Sequence, residues 1–177
     1  MVHRIKEKIR TVANWPKPGI MFRDITTLLR DAPEFSHTIE LLVERYKDKH
    51  IDVVAGIESR GFIIGSILAH RLDRGFVPIR KKGKLPAETV SEEYELEYGK
   101  DVLEIHKDAI DKGTNVLIVD DLVATAGTCV AACKLIEKLG GNVVECCFII
   151  ELMDLHGREK LEKLGHSVFS LVQFEGE

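Results

Sequence analysis

The segment Val116-Leu117-Ile118-Val119-Asp120-Asp121-Leu122-Val123-Ala124-Thr125-Ala126-Gly127-Thr128 limits the fold more than any other part of the chain. Its apolar head, Asn115 to Val119, has the unbroken β-branched and leucine character of a strand buried on both faces, a type that belongs to parallel sheets covered by helices. Two acids and a run of small and hydroxyl residues follow. From Gly127 to Leu139 the apolar residues fall at helical spacing until Gly140-Gly141 stops them. A strand that leads through such a loop into a helix puts the loop at the carboxyl end of a parallel strand, where open α/β sheets bind their ligands.

The same alternation recurs on either side. Ile51 to Ile57 reads as a second buried strand, Glu58-Ser59-Arg60-Gly61 as a turn, Phe62 to Arg74 as a helix stopped by Gly75, and Phe76 to Arg80 as the next strand. Strand, helix and strand in that order make a parallel crossover unit. Downstream, Val143 to Ile150 is a further buried strand, followed by a short helix over Gly157 to Leu164 and a strand over Ser167 to Val172. Upstream, Val2, Ile5, Ile9 and Val12 fall at helical spacing before Trp15-Pro16-Lys17-Pro18-Gly19 ends that helix, and a short irregular arm comes next. Asp31-Ala32-Pro33-Glu34 then opens an amphipathic helix with Phe35, Ile39, Leu42, Val43 and Tyr46 on one face.

Only the middle departs from this pattern. Lys81 to Glu92 is polar, Tyr94 to Tyr98 alternates apolar with charged residues, and Gly99-Lys100-Asp101 is a turn before a hairpin partner at Val102 to Ile105. A polar excursion of this length is an active-site lid or a disordered insert. The class is therefore α/β, with a central, mostly parallel, twisted sheet flanked by helices.

The 177 residues suit one domain. A net charge of -4 gives no global attraction to nucleic acid or anionic membrane, so a polyanion site must come from a local cluster such as Arg80-Lys81-Lys82-Gly83-Lys84. The N-terminus lacks the apolar run of a secretory signal and no stretch approaches bilayer-spanning length, which implies a cytoplasmic protein. Cys129 and Cys133 lie four apart in a helix, and Cys146 and Cys147 are adjacent in a strand, pointing to opposite faces. Neither pair has zinc-finger spacing, so all four read as buried free thiols, and with no paired metal spacing among the histidines no protein-ligated zinc is expected.

Small side chains in the Ala124 to Thr128 loop let successive backbone amides reach a phosphate, the helix N-terminus adds positive potential, and Thr125 and Thr128 can donate hydroxyl hydrogen bonds. Asp120 and Asp121 would repel that phosphate, so they must face a neutral part of the ligand that carries hydrogen-bond donors; ribose hydroxyls meet the need. The plainer reading is that two acids merely cap a helix. Neither a Walker A sequence nor Gly-x-Gly-x-x-Gly occurs, which removes the main support for ATPase and dinucleotide readings.

The block Val119 to Thr128 resembles the phosphoribosyl pyrophosphate motif of type I phosphoribosyltransferases. Pro18-Gly19-Ile20-Met21-Phe22-Arg23-Asp24-Ile25, Glu58-Ser59-Arg60-Gly61-Phe62, Arg80 to Pro86 and Glu95-Leu96-Glu97-Tyr98-Gly99-Lys100 extend the likeness over nearly the whole chain, the last two toward the family's adenine-using branch. The resemblance implies that family's fold in a single domain over 1–177, with a small N-terminal hood or arm over 1–30 for base recognition and a flexible lid loop and hairpin over 81–105. It implies transfer of the phosphoribosyl group to adenine, giving AMP and pyrophosphate. Mg²⁺ would be carried mainly by the pyrophosphate, with no direct protein ligand assigned. A homodimer is implied, with no nucleic-acid or membrane partner.

Residue by residue, the likeness assigns the 5-phosphate to Ala124, Thr125, Ala126, Gly127 and Thr128, and the ribose to Asp120 and Asp121. It assigns the pyrophosphate to Ser59, Arg60, Arg80 and Lys84, and adenine to Met21, Arg23, Leu122 and Leu152. Glu97 and Tyr98 would close over the reaction, with Glu97, Asp121 and Arg60 catalytic and Glu97 relaying a proton. A solvated basic loop or a localisation signal is the plainer reading of Arg80 to Lys84, packing that of Met21 and the two leucines, and a solvent-facing hairpin residue that of Glu97. Ala126 stands where the family usually has glycine, at a cost of about 1 kcal/mol if the backbone there is left-handed. The rivals are a sister enzyme acting on hypoxanthine, guanine, xanthine or orotate, and a regulator that uses the loop only to sense ligand, although the chain has no spare length for a DNA-binding domain.

Overall fold

Ile5 and Ile9 are buried as their helical spacing requires, yet the first helix, α1 (Val2–Lys8), stops short of Val12. Val12 instead sits opposite Phe22, because β1 (Arg10–Ala13) pairs antiparallel with β2 (Met21–Asp24) across the proline-rich turn. The arm expected to be irregular is thus a two-stranded sheet. The Asp24 carboxylate ends it, accepting from the Thr26 amide at 2.9 Å and the Thr26 hydroxyl at 2.8 Å and so opening α2 (Thr26–Arg30). Helix α3 (Ala32–Tyr46) starts at Asp31, whose side chain accepts from the Glu34 amide at 3.2 Å.

The crossover units follow as the apolar runs predict: β3 (Val53–Ile57), α4 (Arg60–Arg71) and β4 (Gly75–Lys81). Gly75 opens the strand rather than stopping the helix; the left-handed residue between them is Asp73, at φ 55°. Strands β5 (Thr89–Glu95) and β6 (Lys100–His106) form the hairpin, and β7 (Asn115–Val123), α5 (Gly127–Lys138), β8 (Asn142–Leu152), α6 (Gly157–Lys163) and β9 (Val168–Phe174) complete the chain. This computed structural model describes residues 2–95 and 99–176.

The large sheet has the order β5-β6-β4-β3-β7-β8-β9; the five strands from β4 to β9 run parallel, and β6 and β5 are antiparallel additions at one edge. Alternation along the central strands divides the core into two layers. Val116, Ile118 and Cys146 pack with α5 and α6, whereas Leu117, Val119 and Cys147 pack with α1, α3 and α4. The four cysteines are free and buried, and the adjacent pair does point to opposite faces. What spacing alone does not convey is that Cys129 and Cys133 on α5 meet Cys146 on β8.

Two differences bear on the site. Strand β7 continues four residues past Val119 and carries both acids within it, because Asp121 and Val123 keep the inward alternation. The segment read as a polar excursion becomes strand at Thr89 and docks on α5, where the Glu92 carboxylate accepts from Lys134 at 3.1 Å and from Lys138 at 2.5 Å. Among the described residues no helix is long and apolar enough to cross a membrane.

Candidate active site

Strand order reverses between the two central strands: β3 leads outward to β4, and β7 leads the other way to β8. The loops that leave their carboxyl ends therefore diverge and open a crevice, the position where sheets of this kind take ligands. The crevice is about 300 Å³ and brings together Ser59 and Arg60 from the first loop with Asp120 to Thr128 from the second.

Gly61 explains how closely the two loops approach. A Cβ on it would lie 2.6 Å from the Val119 carbonyl oxygen and 3.2 Å from the Asp120 Cα, so the first turn of α4 rests directly on the end of β7. Arg60 is thereby carried to Asp121, and its Nε donates to the Asp121 Oδ2. Asp121 is 3% exposed, which makes this charge pair the floor of the crevice. Burial disfavours the Arg60 charge, but Asp121, Asp120 and Asp24 outweigh it and hold the guanidinium above its ordinary pKa. The Asp120 carboxyl moves the opposite way from an ion-paired acid: burial, and then the charge of Asp121, push it well above the usual carboxylate range. Its Oδ1 accepts from the Asp121 amide at 2.9 Å.

The loop between β7 and α5 is shaped by Ala126, which is left-handed at φ 64° and ψ 8° and leads directly into α5. Such a turn points successive amides into one concavity, at the positive end of a 12-residue helix. From beneath, the backbone of Gly157 at the start of α6 supports the carbonyl of Ala124 so closely that no Cβ would fit between them. From above comes Tyr94 of the hairpin, whose hydroxyl donates to Asp101 at 3.2 Å. Lys81 bonds the same Asp101 carboxylate at 3.0 Å and lines the crevice.

The left-handed alanine yields one prediction. Ala126→Gly relieves about 1–2 kcal/mol of backbone strain, loses about 0.8 kcal/mol of methyl burial at a residue 6% exposed, and adds about 0.5–1 kcal/mol of unfolded-chain entropy. These nearly cancel, so the melting temperature should move by only a few degrees while the KM for a phosphorylated substrate stays level or falls. Thermal denaturation and steady-state kinetics on the variant check both.

Other residues expected at the site are placed less directly. Arg80 and Lys81 are neighbours on β4 and take opposite faces. Arg80 lies over the Phe62 ring at 5.8 Å and 3.3 Å from the Glu58 carboxylate, and Lys84 donates to Glu58 Oε1 at 2.6 Å. Glu58 lines the crevice, so both cations meet it through that carboxylate. Burial pushes the Glu58 carboxyl up, but Lys84, the Lys81 amide and Arg80 more than offset this, and the group is held below its ordinary pKa.

In the arm, period two puts Met21 and Arg23 on one face of β2 and Phe22 on the other. The Arg23 guanidinium is taken up structurally: it donates to Thr11 Oγ1 at 2.5 Å and to the carbonyls of Glu175 and Gly176 at 3.4 and 3.3 Å, and it lies on the Phe174 ring at 4.4 Å. Phe22 approaches the site through Arg60, whose guanidinium lies 5.9 Å from its ring, but like the other arm residues it is not among the described residues that line the crevice. Leu122 lines the crevice, whereas Met21, Arg23 and Leu152 are not among the described residues that do. Leu152 packs in the core layer of α1, α3 and α4. Glu97 and Tyr98 lie outside the described residues. Glu58, Lys81 and Tyr94 line the crevice without having been expected there; reading Phe76 to Lys81 with a strand's alternation would have separated Lys81 from Arg80.

Known proteins match this chain over most of its length. The phosphoribosyl transferase domain family matches residues 24–176. Adenine phosphoribosyltransferase from Nitrosospira multiformis is 60% identical over 98% of this chain and 99% of its own. The crystal structure of adenine phosphoribosyltransferase from Thermoanaerobacter pseudethanolicus superposes with a TM-score of 0.94 at 52% identity, covering 98% of this chain and 100% of the other. The enzyme from Saccharomyces cerevisiae, solved with an imino-altritol bisphosphate and adenine, gives a TM-score of 0.90 at 42% identity over 97% of this chain and 98% of that one.

Proposed function

We propose how the crevice works in a chain that belongs to the phosphoribosyltransferase family and, within it, to the adenine phosphoribosyltransferases. The reaction joins adenine to 5-phosphoribosyl 1-pyrophosphate, giving AMP and pyrophosphate, a step of purine salvage. One observation carries the assignment of roles: a left-handed loop at a helix N-terminus, two acids carried within β7 and an arginine share one crevice at the sheet's switch point.

The 5-phosphate sits on the amides of Ala124 to Thr128, and the Thr125 and Thr128 hydroxyls add donors. Asp120 and Asp121 accept from the ribose hydroxyls and so hold the anomeric carbon toward the Arg60 side. Arg60, the Ser59 hydroxyl and Lys81 receive the departing pyrophosphate, with Arg80 and Lys84 joining if Glu58 releases them. Stabilising that charge as the bond to the anomeric carbon breaks is the main demand of the chemistry.

Mg²⁺ suits the same donor set. It prefers hard oxygens and is commonly held by one or two carboxylates together with substrate phosphates. Asp120 and Asp121 each keep one carboxylate oxygen free of the hydrogen bonds described above. Bound with the pyrophosphate, the ion would neutralise leaving-group charge.

Adenine lies against the Phe22 ring. Among the described residues strand β2 is paired on one side only, so its other edge presents backbone donors and acceptors, through Met21 and Arg23, that can read a neutral base without a charged side chain. Phe22→Ala should raise the KM for adenine by roughly 5–150-fold, the worth of one base–aromatic stack, and leave that for phosphoribosyl pyrophosphate within a factor of two or so. Equal rises in both would remove Phe22 from the base site. Glu97 as proton relay, Tyr98 as lid, a homodimer and a cytoplasmic setting belong to the same proposal and rest on the family resemblance.

The deciding experiment mixes the protein with Mg²⁺, phosphoribosyl pyrophosphate and each purine base in turn. Nucleotide should form with adenine alone. Product only with hypoxanthine or guanine would move the chain to a sister specificity, and tight ligand binding without product would make it a sensor.

A further inference from the structure

Among the described residues, three cysteines gather in the core between α5 and β8. Cys129 and Cys133 are one helical turn apart on α5 and face the sheet, and Cys146 faces them from β8. Their sulfurs all lie within 4.8 Å of one another, with Cys133 and Cys146 at 3.6 Å. Each residue is at most 3% exposed, and all three belong to one apolar core layer. Among the described residues no carboxylate or imidazole nitrogen joins the group.

We propose that Cys129, Cys133 and Cys146 form a trithiol site for a soft trivalent ion, of which trivalent arsenic is the type. Charge and coordination number decide the class of ion. Zinc wants a fourth ligand and would leave one net negative charge on three thiolates; monovalent copper would leave two. Uncompensated charge in an apolar layer is costly. A trivalent ion with three thiolates is neutral and needs no further ligand. The step balances without any oxidant: arsenous acid loses its three hydroxyls, each takes the proton of one thiol and leaves as water, and three arsenic–sulfur bonds replace three arsenic–oxygen and three sulfur–hydrogen bonds. Cys129 also lines the catalytic crevice, which gives the acid a way in and the waters a way out.

The test incubates the intact folded protein with sodium arsenite and follows the mass of the native protein and its thermal unfolding. One arsenic should bind per chain, with the loss of three protons, and the melting temperature should rise. Cys129→Ala, Cys133→Ala and Cys146→Ala should each weaken binding by roughly 10²-fold or more, because one of three linked attachments is gone. Cys147→Ala, which removes the buried thiol of the opposite layer, should bind as the parent does. The mass and melting measurements on the unaltered protein stand even if one variant fails to fold. No uptake by the folded parent, uptake that survives Cys133→Ala, or loss of uptake in Cys147→Ala would each overturn the site.

Discussion

Asp121→Asn should lower kcat/KM for phosphoribosyl pyrophosphate by about 10–150-fold, the equivalent of one hydrogen bond to a charged group at roughly 1.5–3 kcal/mol. The larger end is expected, because the substitution acts twice. It removes the buried carboxylate proposed to hold a ribose hydroxyl, and it releases the Arg60 guanidinium that Asp121 keeps over the crevice floor. Asparagine has nearly the same shape, so the loss would measure charge rather than packing. A loss of less than about threefold would mean that the acid is only a structural partner of Arg60.

Asp120→Asn separates the two acids. The folded-state pKa of Asp120 is raised above its unfolded value, so the group's contribution to stability is fully present below the ordinary carboxylate range and is lost as pH rises through the raised value. The ligand-free parent should therefore lose stability relative to Asp120→Asn across that window, and melts at several pH values would show the variant gaining on it. Substrate affinity should run the other way, since the ionised carboxylate is the stronger acceptor for ribose hydroxyls. The KM for phosphoribosyl pyrophosphate should fall over the window in the parent and stay flat in the variant.

The parallel sheet was legible because its strands are unbroken apolar runs, a pattern that a two-sided burial demands. The loop from Ala124 to Thr128 could be placed at the mouth of the crevice for a related reason, since a strand that runs through small residues into a helix puts them at its carboxyl end. Its left-handed turn was foreseeable at Ala126 only through comparison with a family that uses glycine there. Harder to read were features made by distant partners. The fate of Arg23 depends on carbonyls at Glu175 and Gly176, some 150 residues away, and nothing near Arg23 signals them. The docking of the hairpin depends on Glu92 meeting two lysines of α5, which local polarity disguised as a loose excursion. Trp15 to Gly19 was read as a stop signal when it is the turn of a hairpin; two prolines and a glycine serve either purpose, and the strand partner at Met21 decided it.

Gly61→Ala tests whether close packing of α4 on β7 is what assembles the site. The added methyl would meet the Val119 carbonyl at 2.6 Å and the Asp120 Oδ1 at 3.2 Å. The carbonyl cannot retreat, because Val119 is paired with β3 on one side and β8 on the other. The helix must yield instead, carrying Ser59 and Arg60 away from Asp121. Overpacking of this kind costs about 1–3 kcal/mol of stability, and a displacement near 1 Å of a positioning group costs about 10²-fold in rate. Gly65→Ala is the control one turn along the same helix: its closest neighbour is the Phe76 ring at 3.0 Å, a side chain rather than backbone, and none of its nearest neighbours is either acid. It should lose some stability and keep its turnover. If Gly61→Ala folds and turns over like the parent, the contact between helix and strand does not hold Arg60 in register with the acids, and the crevice must owe its shape to the loop beyond them.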